Sequence, residues 1–245
     1  MEGIFCLTAV AGKLGDLQAA ARKFGCGWAS HTSASKLTDV AAIGAHLEML
    51  QWARGQGCPW NERTRSFAAY GGHLALLKWA WDNGCPWDRE TCDCAAEGGH
   101  LDVLQWVREK GCPWDQRTCK AAARSGNLAV LKWARPQGCP WDLRTCSGAA
   151  YRGHLEVLKW ARQQGCPWSY STCRAAASGG HSEVLRCARE NVCPWKECTC
   201  MGAAQCGRLD ILQWARAQGR PWDERTCRGA TWGGNLELLK WSREQ

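Results

Sequence analysis

The sequence predicts an all-α protein, an α-solenoid in which helix–turn–helix repeats stack one on the next. Three observations lead to this prediction. Cys-Pro-Trp recurs every 27 residues, and a fixed period of about 20–50 residues is typical of stacked repeats. Each repeat has apolar residues at helical spacing, and no segment shows the alternation of a strand. Glycine and proline interrupt every repeat at the same places, which indicates regularly spaced turns.

The repeats align on their tryptophans, and we number each repeat with this tryptophan as position 1. Regular repeats begin at Trp60, Trp87, Trp114, Trp141, Trp168, Trp195 and Trp222. Residues 5–59 hold degenerate repeats, and the spacing of 32 residues between Trp28 and Trp60 indicates an insertion near Ser33–Leu37. Because each repeat of a solenoid contacts only its neighbours, we expect one domain spanning residues 1–245.

The repeat that starts at Trp141 shows why a first helix is expected. Asp142 can accept hydrogen bonds from amides of the first helical turn. The small residues Cys146, Ala149 and Ala150 follow and would let a neighbouring helix approach closely. Gly153 suits the end of this helix, because glycine adopts the left-handed conformation found there.

A second helix is expected from about Leu155 to Gln164. Its leucine, valine, tryptophan and alanine residues cover a wide apolar arc, as a helix between neighbouring repeats requires. Gly165 suits the left-handed position after the helix, and Pro167 prevents its continuation. We expect the tryptophans at positions 1 and 20 to be core residues and not stacking platforms for bases.

A family resemblance follows from the run Ala-Ala-x-x-Gly-His-Leu-Glu-Val-Leu-Lys-Trp at residues 149–160, which has counterparts in the other repeats. This run resembles the ankyrin repeat, in a short, 27-residue form rich in tryptophan and cysteine. The ankyrin repeat has about 33 residues, and the missing residues fall where it forms its β-hairpin fingers. The resemblance therefore implies two antiparallel helices per repeat, shortened loops and no β-hairpin fingers.

The 18 cysteines follow the repeat, and we expect them to be reduced thiols acting as small buried hydrophobic residues. A cysteine precedes most Pro-Trp pairs, and another follows threonine seven residues later. If these two positions paired, Cys58 would face Arg65 and Cys227 would face Arg220. Obligatory disulfide partners should be lost together, so these one-sided replacements argue against structural disulfides.

Positions 3, 7 and 11 vary most between repeats, and a spacing of four places them on one face of the first helix. We call this set of positions the variable face. Charged and aromatic residues interchange there, so we expect it to lie outside the core and to form a continuous protein-binding surface. A solvated face without a binding role is the alternative. The candidate binding residues are Tyr70, Arg89, Lys120, Arg124, Leu143, Tyr151, Tyr170, Arg174, Met201 and Trp232.

A stripe of basic residues lies at position 22, on the second helix. Together with the net charge of +8, it makes nucleic-acid binding the alternative function. The stripe comprises Arg108, Arg135, Arg162, Arg189, Arg216 and Arg243. We favour a solvated outer face, because acidic residues such as Glu156 lie one helical turn earlier and can pair with these arginines.

No metal, cofactor or catalytic site is predicted. Five cysteines crowd residues 187–206, and histidine recurs at position 14, but their spacing does not match structural zinc sites. Each cysteine and histidine recurs in an equivalent setting, whereas catalysis needs one distinctive place. Without an export signal or a membrane-spanning segment, we expect a monomeric, non-catalytic scaffold for protein partners, in the cytoplasm or alternatively the nucleus.

Overall fold

The computed structural model describes residues 14–16, 18–19, 31–58, 62–85, 88–219 and 223–243. Within these ranges the chain is helical and contains no strand. The described helices between residues 31 and 243 form eight successive pairs: α1 His31–Ile43, α2 Leu47–Gly55, α3 Glu62–Tyr70, α4 Leu74–Asp82, α5 Arg89–Gly98, α6 Leu101–Glu109, α7 Gln116–Arg124, α8 Leu128–Ala134, α9 Leu143–Arg152, α10 Leu155–Gln163, α11 Tyr170–Gly179, α12 Ser182–Glu190, α13 Cys198–Gln205, α14 Leu209–Ala217, α15 Glu224–Trp232 and α16 Leu236–Arg243.

The chain divides into an N-terminal half, Met1–Trp114, and a C-terminal half, Asp115–Gln245. Within each half, the odd-numbered helices of consecutive repeats pack against one another. Each even-numbered helix packs against the odd-numbered helix before it. This arrangement of helix–turn–helix repeats confirms the predicted α-solenoid. That the whole chain forms one domain stays a prediction.

The predicted ends of the first helices are confirmed in the repeat that starts at Trp141. The carboxylate of Asp142 accepts a hydrogen bond from the amide of Arg144, with an N–O distance of 2.8 Å. Helix α9 ends at Arg152, and Gly153 caps it with a φ of 80°. The second helix of this repeat, α10, ends one residue before the predicted Gln164, and Gly165 has the expected positive φ of 79°.

The core of each repeat lies between its two helices. In α9, Cys146, Ala149 and Ala150 are fully buried, and α10 covers them with its own buried face, which includes Leu158 and Ala161. Burial of a leucine side chain contributes about 1.5–3 kcal/mol, whereas the small residues of α9 mainly permit close contact. The leucines of the second helices therefore stabilise the core by burying apolar surface, and the small residues of the first helices allow the helices to pack closely.

Those tryptophans at positions 1 and 20 that the structure describes are half-buried, so the prediction that they are core residues is wrong for them. The rings of Trp141 and Trp160 meet edge-on, with centroids 5.9 Å apart. The Cζ atom of Arg135, from the preceding repeat, lies 4.0 Å from the Trp141 ring centroid. Helices packed through alanine and cysteine leave no room for an indole ring between them, so the ring lies at the edge of the core under an arginine.

All sixteen cysteines that the structure describes are free thiols, and most are buried as predicted. The assumed pairing, however, is wrong. A Cys-Pro-Trp cysteine instead lies near a cysteine of the same repeat that is 20 residues earlier in the sequence. The Sγ atoms of Cys119 and Cys139, for example, are 3.4 Å apart. Arg65 correspondingly lies beside Cys85, 20 residues later. Folding the second helix back on the first creates this proximity, which sequence spacing did not show.

The residue at position 14 connects consecutive repeats. The Nε2 atom of His154 lies 3.1 Å from the backbone carbonyl oxygen of Arg124, at the end of the first helix in the preceding repeat. His73 makes the equivalent contact with the carbonyl oxygen of Ile43 at 3.0 Å. Asn235, which replaces the histidine, donates from Nδ2 to the carbonyl oxygen of Ala204 at 3.0 Å. Histidine therefore caps a neighbouring helix end, and asparagine can replace it.

The predicted insertion near Ser33–Leu37 lies in α1, which has 13 residues and is longer than the other described helices. The degenerate repeat at residues 5–24, Trp28, and the tryptophans Trp60, Trp87 and Trp222 lie wholly or largely outside the described residues.

Candidate protein-interaction surface

The variable face is largely exposed in both halves of the chain. Among its members, Tyr70, Leu143, Tyr151, Tyr170 and Trp232 expose between 38% and 71% of their surface. Arg89, Arg124 and Arg174 are also exposed, whereas Lys120 and Met201 are half-buried. Ser66, at position 7, is only 6% exposed, so the expectation that this face lies wholly outside the core is wrong at that residue. The phenylalanine-containing helix α3 packs between α1 and α5 there.

Four of the predicted residues converge on one groove in the C-terminal half. The groove has a volume of about 670 Å³ and lies across helices α7, α9 and α11. Lys120 and Arg124 line it from α7, Tyr151 lines it from α9, and Arg174 lines it from α11. The continuous packing of these three helices against one another brings the four side chains together.

The rest of the groove lining was not predicted; it consists of Arg144, Ser147, Gly148, Ser171, Ala175 and Ser178. Ser147 and Ser178 occupy variable positions, but their side chains are small and uncharged, so they were not among the predicted binding residues. The others stand at positions 4 and 8, beside the variable face on the same helices. Extending the face by this neighbouring row, which also has a spacing of four, would have found them.

The remaining predicted residues lie outside this groove. Leu143 and Tyr170 occupy the first turns of α9 and α11, and the Nζ atom of Lys196 lies 4.4 Å from the Tyr170 ring centroid. Met201 and Trp232 belong to α13 and α15, further along the C-terminal half. Tyr70 and Arg89 belong to the N-terminal half, on α3 and α5.

Four arginines of the basic stripe at position 22 are not solvated as we expected, whereas Arg216 is exposed. Nη1 of Arg135 and Nη1 of Arg162 donate to the carbonyl oxygens of the cysteines four residues later, at 2.5 and 2.6 Å. Arg108 and Arg189 make the same contact. The guanidinium groups of these four arginines also lie 4.0–5.9 Å from the centroid of the following tryptophan ring. All four side chains are therefore half-buried parts of the joint between repeats.

Two of the acidic residues expected to pair with this stripe bind lysines instead. Glu156 pairs with Lys159 at an N–O distance of 3.2 Å, and Glu237 pairs with Lys240 at 3.6 Å. These exposed pairs contribute little to stability, about 0–1 kcal/mol. They do neutralise lysines that would otherwise extend the basic stripe on the second helices.

The cysteine-rich region at residues 187–206 does not assemble a ligand set. Over the part of the chain that the structure describes, no three histidine, cysteine or acidic side chains are placed to share a metal ion. Cys193 and Cys200 are buried, whereas Cys206 is exposed. Within the same residues, no helix has the length and apolar character needed to cross a bilayer.

Comparison with known proteins identifies the fold. No family model and no curated protein sequence matches the chain. Among solved structures, the ankyrin repeat domain of human ASB11 is similar, with a TM-score of 0.51 and 16% sequence identity. The match covers 64% of this chain and 84% of that domain. At this identity the similarity concerns the fold alone, and it supports a chain built of ankyrin-like repeats.

Proposed function

We propose that this protein is a non-catalytic scaffold that binds a protein partner through the variable face of its first helices. The observation that carries the proposal is the placement of its exposed aromatic residues. All three tyrosines of the chain, Tyr70, Tyr151 and Tyr170, stand on the variable face and are exposed. Aromatic residues dominate the binding energy of many protein interfaces.

The regular frame around this face supports the same function. Buried alanine, cysteine and leucine recur at fixed positions from repeat to repeat, whereas the side chains at positions 3, 7 and 11 change in size and charge. A rigid frame with variable exposed side chains suits recognition of an extended surface better than chemistry at one point. A monomeric state and a location in the cytoplasm or nucleus stay predictions.

Nucleic-acid binding through the second helices is the weaker alternative. The guanidinium groups of Arg108, Arg135, Arg162 and Arg189 are already held by backbone carbonyls and tryptophan rings. Phosphate binding would have to compete with these contacts. Such binding would also weaken steeply as salt concentration rises.

Affinity capture with the double variant Tyr151→Ala and Tyr170→Ala tests the proposal. We expect partner capture from a lysate of the native cell to fall at least about tenfold, because loss of interface aromatics commonly costs more than about 1–2 kcal/mol each. The thermal unfolding midpoint should stay unchanged, because both side chains are exposed. Captured proteins are quantified by mass spectrometry, before and after nuclease treatment.

Leu236→Ala provides the matched control, since Leu236 is 61% exposed but begins a second helix. This variant should capture the partner as the unaltered protein does. Equal capture by all three proteins would reject the variable face as the binding surface. Capture that disappears with nuclease or at high salt would favour the nucleic-acid alternative.

A further inference from the structure

Charge is segregated among the first helices. Helices α7, α9 and α11 contain six cationic residues and no aspartate or glutamate; the cations are Arg117, Lys120, Arg124, Arg144, Arg152 and Arg174. Helix α5 in the N-terminal half is acidic on balance, with Glu90, Asp93 and Glu97 against the single cation Arg89. Three successive basic helices therefore form a local feature of the C-terminal half and not a property of every repeat.

The groove across these helices gathers four of the six cations, namely Lys120, Arg124, Arg144 and Arg174, and no carboxylate lines it. Its other polar groups are the hydroxyls of serines and of Tyr151. Its lining also includes Gly148 and Ala175, whose small size leaves space between the charged side chains. Like charges gathered in this way repel one another, and an anionic ligand would remove that repulsion.

Three of these four cations have no ion-pair partner among the residues that the structure describes. Only Arg144 has one, a long contact of 3.9 Å from its Nε atom to the carboxylate of Asp142. Elsewhere in the same half, some cations do have an acidic partner within one helical turn, as in the pair of Arg228 with Glu224 and that of Lys159 with Glu156. The groove is thus a place where positive charge is exposed and left uncompensated.

We propose that this groove binds an acidic, carboxylate-rich segment of the protein partner. The proposal rests on the proposed function and adds the chemical class of the ligand. Guanidinium groups bind carboxylates through two parallel hydrogen bonds, and Arg124, Arg144 and Arg174 can each offer that geometry. The serine hydroxyls can donate to carboxylates or to the peptide backbone, and Tyr151 can pack against an apolar side chain between them.

The groove suits a peptide better than a single-stranded nucleic acid. Proteins that bind single strands place successive bases on successive aromatic side chains. Tyr151 is the one aromatic residue in the groove lining. Short serine and alanine side chains occupy the positions where further stacking platforms would be needed.

Fluorescence anisotropy with a short labelled peptide rich in glutamate and aspartate tests the proposal. The matched probe has glutamine and asparagine at the same positions, and a labelled oligouridine tests nucleic acid. The groove variant is Lys120→Glu with Arg174→Glu. The control is Lys132→Glu with Arg186→Glu, which changes the net charge equally at exposed positions of the second helices.

We expect the acidic peptide to bind and its amide counterpart to bind at least about tenfold more weakly. The groove variant should lose at least about tenfold in affinity for the acidic peptide, and the control variant less than about threefold. Equal losses in both variants, equal binding of both peptides, or tighter binding of oligouridine would overturn the proposal. Unchanged circular dichroism and thermal unfolding show that both variants fold.

The results of partner capture distinguish failure of the acidic-ligand proposal from failure of the proposed function. If the tyrosine double variant loses partner capture while the groove variant keeps it, the variable face binds the partner and the acidic-ligand proposal is wrong. If neither variant affects capture, the proposed function itself is wrong.

Discussion

Threonine at position 5 is a buried residue in every regular repeat. The side chains of Thr64, Thr91, Thr118, Thr145, Thr172, Thr199 and Thr226 are all fully buried. Their hydroxyls differ in what they contact. The Oγ1 atom of Thr91 donates to the carboxylate of Asp88 at 3.1 Å, whereas Oγ1 of Thr145 has no hydrogen-bond partner among the described residues. A buried hydroxyl without a partner costs about 1–3 kcal/mol.

Thr145→Val should therefore leave the free energy of unfolding unchanged or raise it by up to about 1 kcal/mol, because a methyl group of similar shape replaces the hydroxyl. Thr91→Val is the matched variant and should lower it by about 1 kcal/mol, because it removes a hydrogen bond to a charged group. Urea unfolding followed by circular dichroism measures both. A similar loss of stability in the two variants would show that the hydroxyl of Thr145 does have a hydrogen-bond partner.

Most local features at the residue scale could be predicted from the sequence. The capping role of Asp142 and the helix-ending role of Gly153 depend only on neighbouring backbone atoms, and both predictions are confirmed. The roles of Arg135 and His154 were not predicted. Each binds atoms of a neighbouring repeat, so its partner depends on how repeats pack and not on nearby residues.

At the scale of helices, position 8 determines how closely consecutive first helices approach. An ideal Cβ atom at Gly148 would lie 3.6 Å from the carbonyl oxygen of Lys120, which is an ordinary contact. At Gly229 the same atom would lie 2.6 Å from the carbonyl oxygen of Met201. Glycine at this position is therefore dispensable in α9 and required by the packing of α15 against α13.

Gly148→Ala should raise the free energy of unfolding by about 0.5–1 kcal/mol, because alanine restricts the unfolded chain and favours the helix. Gly229→Ala should lower it by about 1–3 kcal/mol, because the methyl group forces the two helices apart. Chemical denaturation of both variants under the same conditions tests the pair. Destabilisation by Gly148→Ala would show that α7 and α9 lie too close together to accommodate a methyl group at this position.

At the scale of the whole molecule, buried thiols link stability to alkaline pH. Cys85 and Cys200 are each 2% exposed. Burial away from water raises the pKa of Cys85 to about 11 and that of Cys200 to about 11. The unfolded chain ionises these thiols at their ordinary, lower pKa. Their contribution to stability is thus fully present below about pH 9 and is lost as the pH rises toward 11.

We expect the urea midpoint to stay level between pH 7 and pH 8.5 and to fall between about pH 9 and pH 11. Each such thiol contributes a slope of up to about 1.4 kcal/mol per pH unit. Unfolding curves collected under reducing conditions across this range measure the effect. A midpoint that stays level up to pH 10.5 would show that the thiols ionise equally in the folded and unfolded chain.

The sequence by itself determined the repeat length, the helix pairs, the turns between them and the variable positions, because these depend on spacing within one repeat. Only the tertiary structure decided that Trp141 lies half-buried under an arginine and that Cys139, from a Cys-Pro-Trp run, lies beside Cys119, 20 residues earlier. It also decided that Lys120, Tyr151 and Arg174 share one groove. Helical spacing assigns a residue to a face, but the packing of consecutive repeats decides which side chains meet across it.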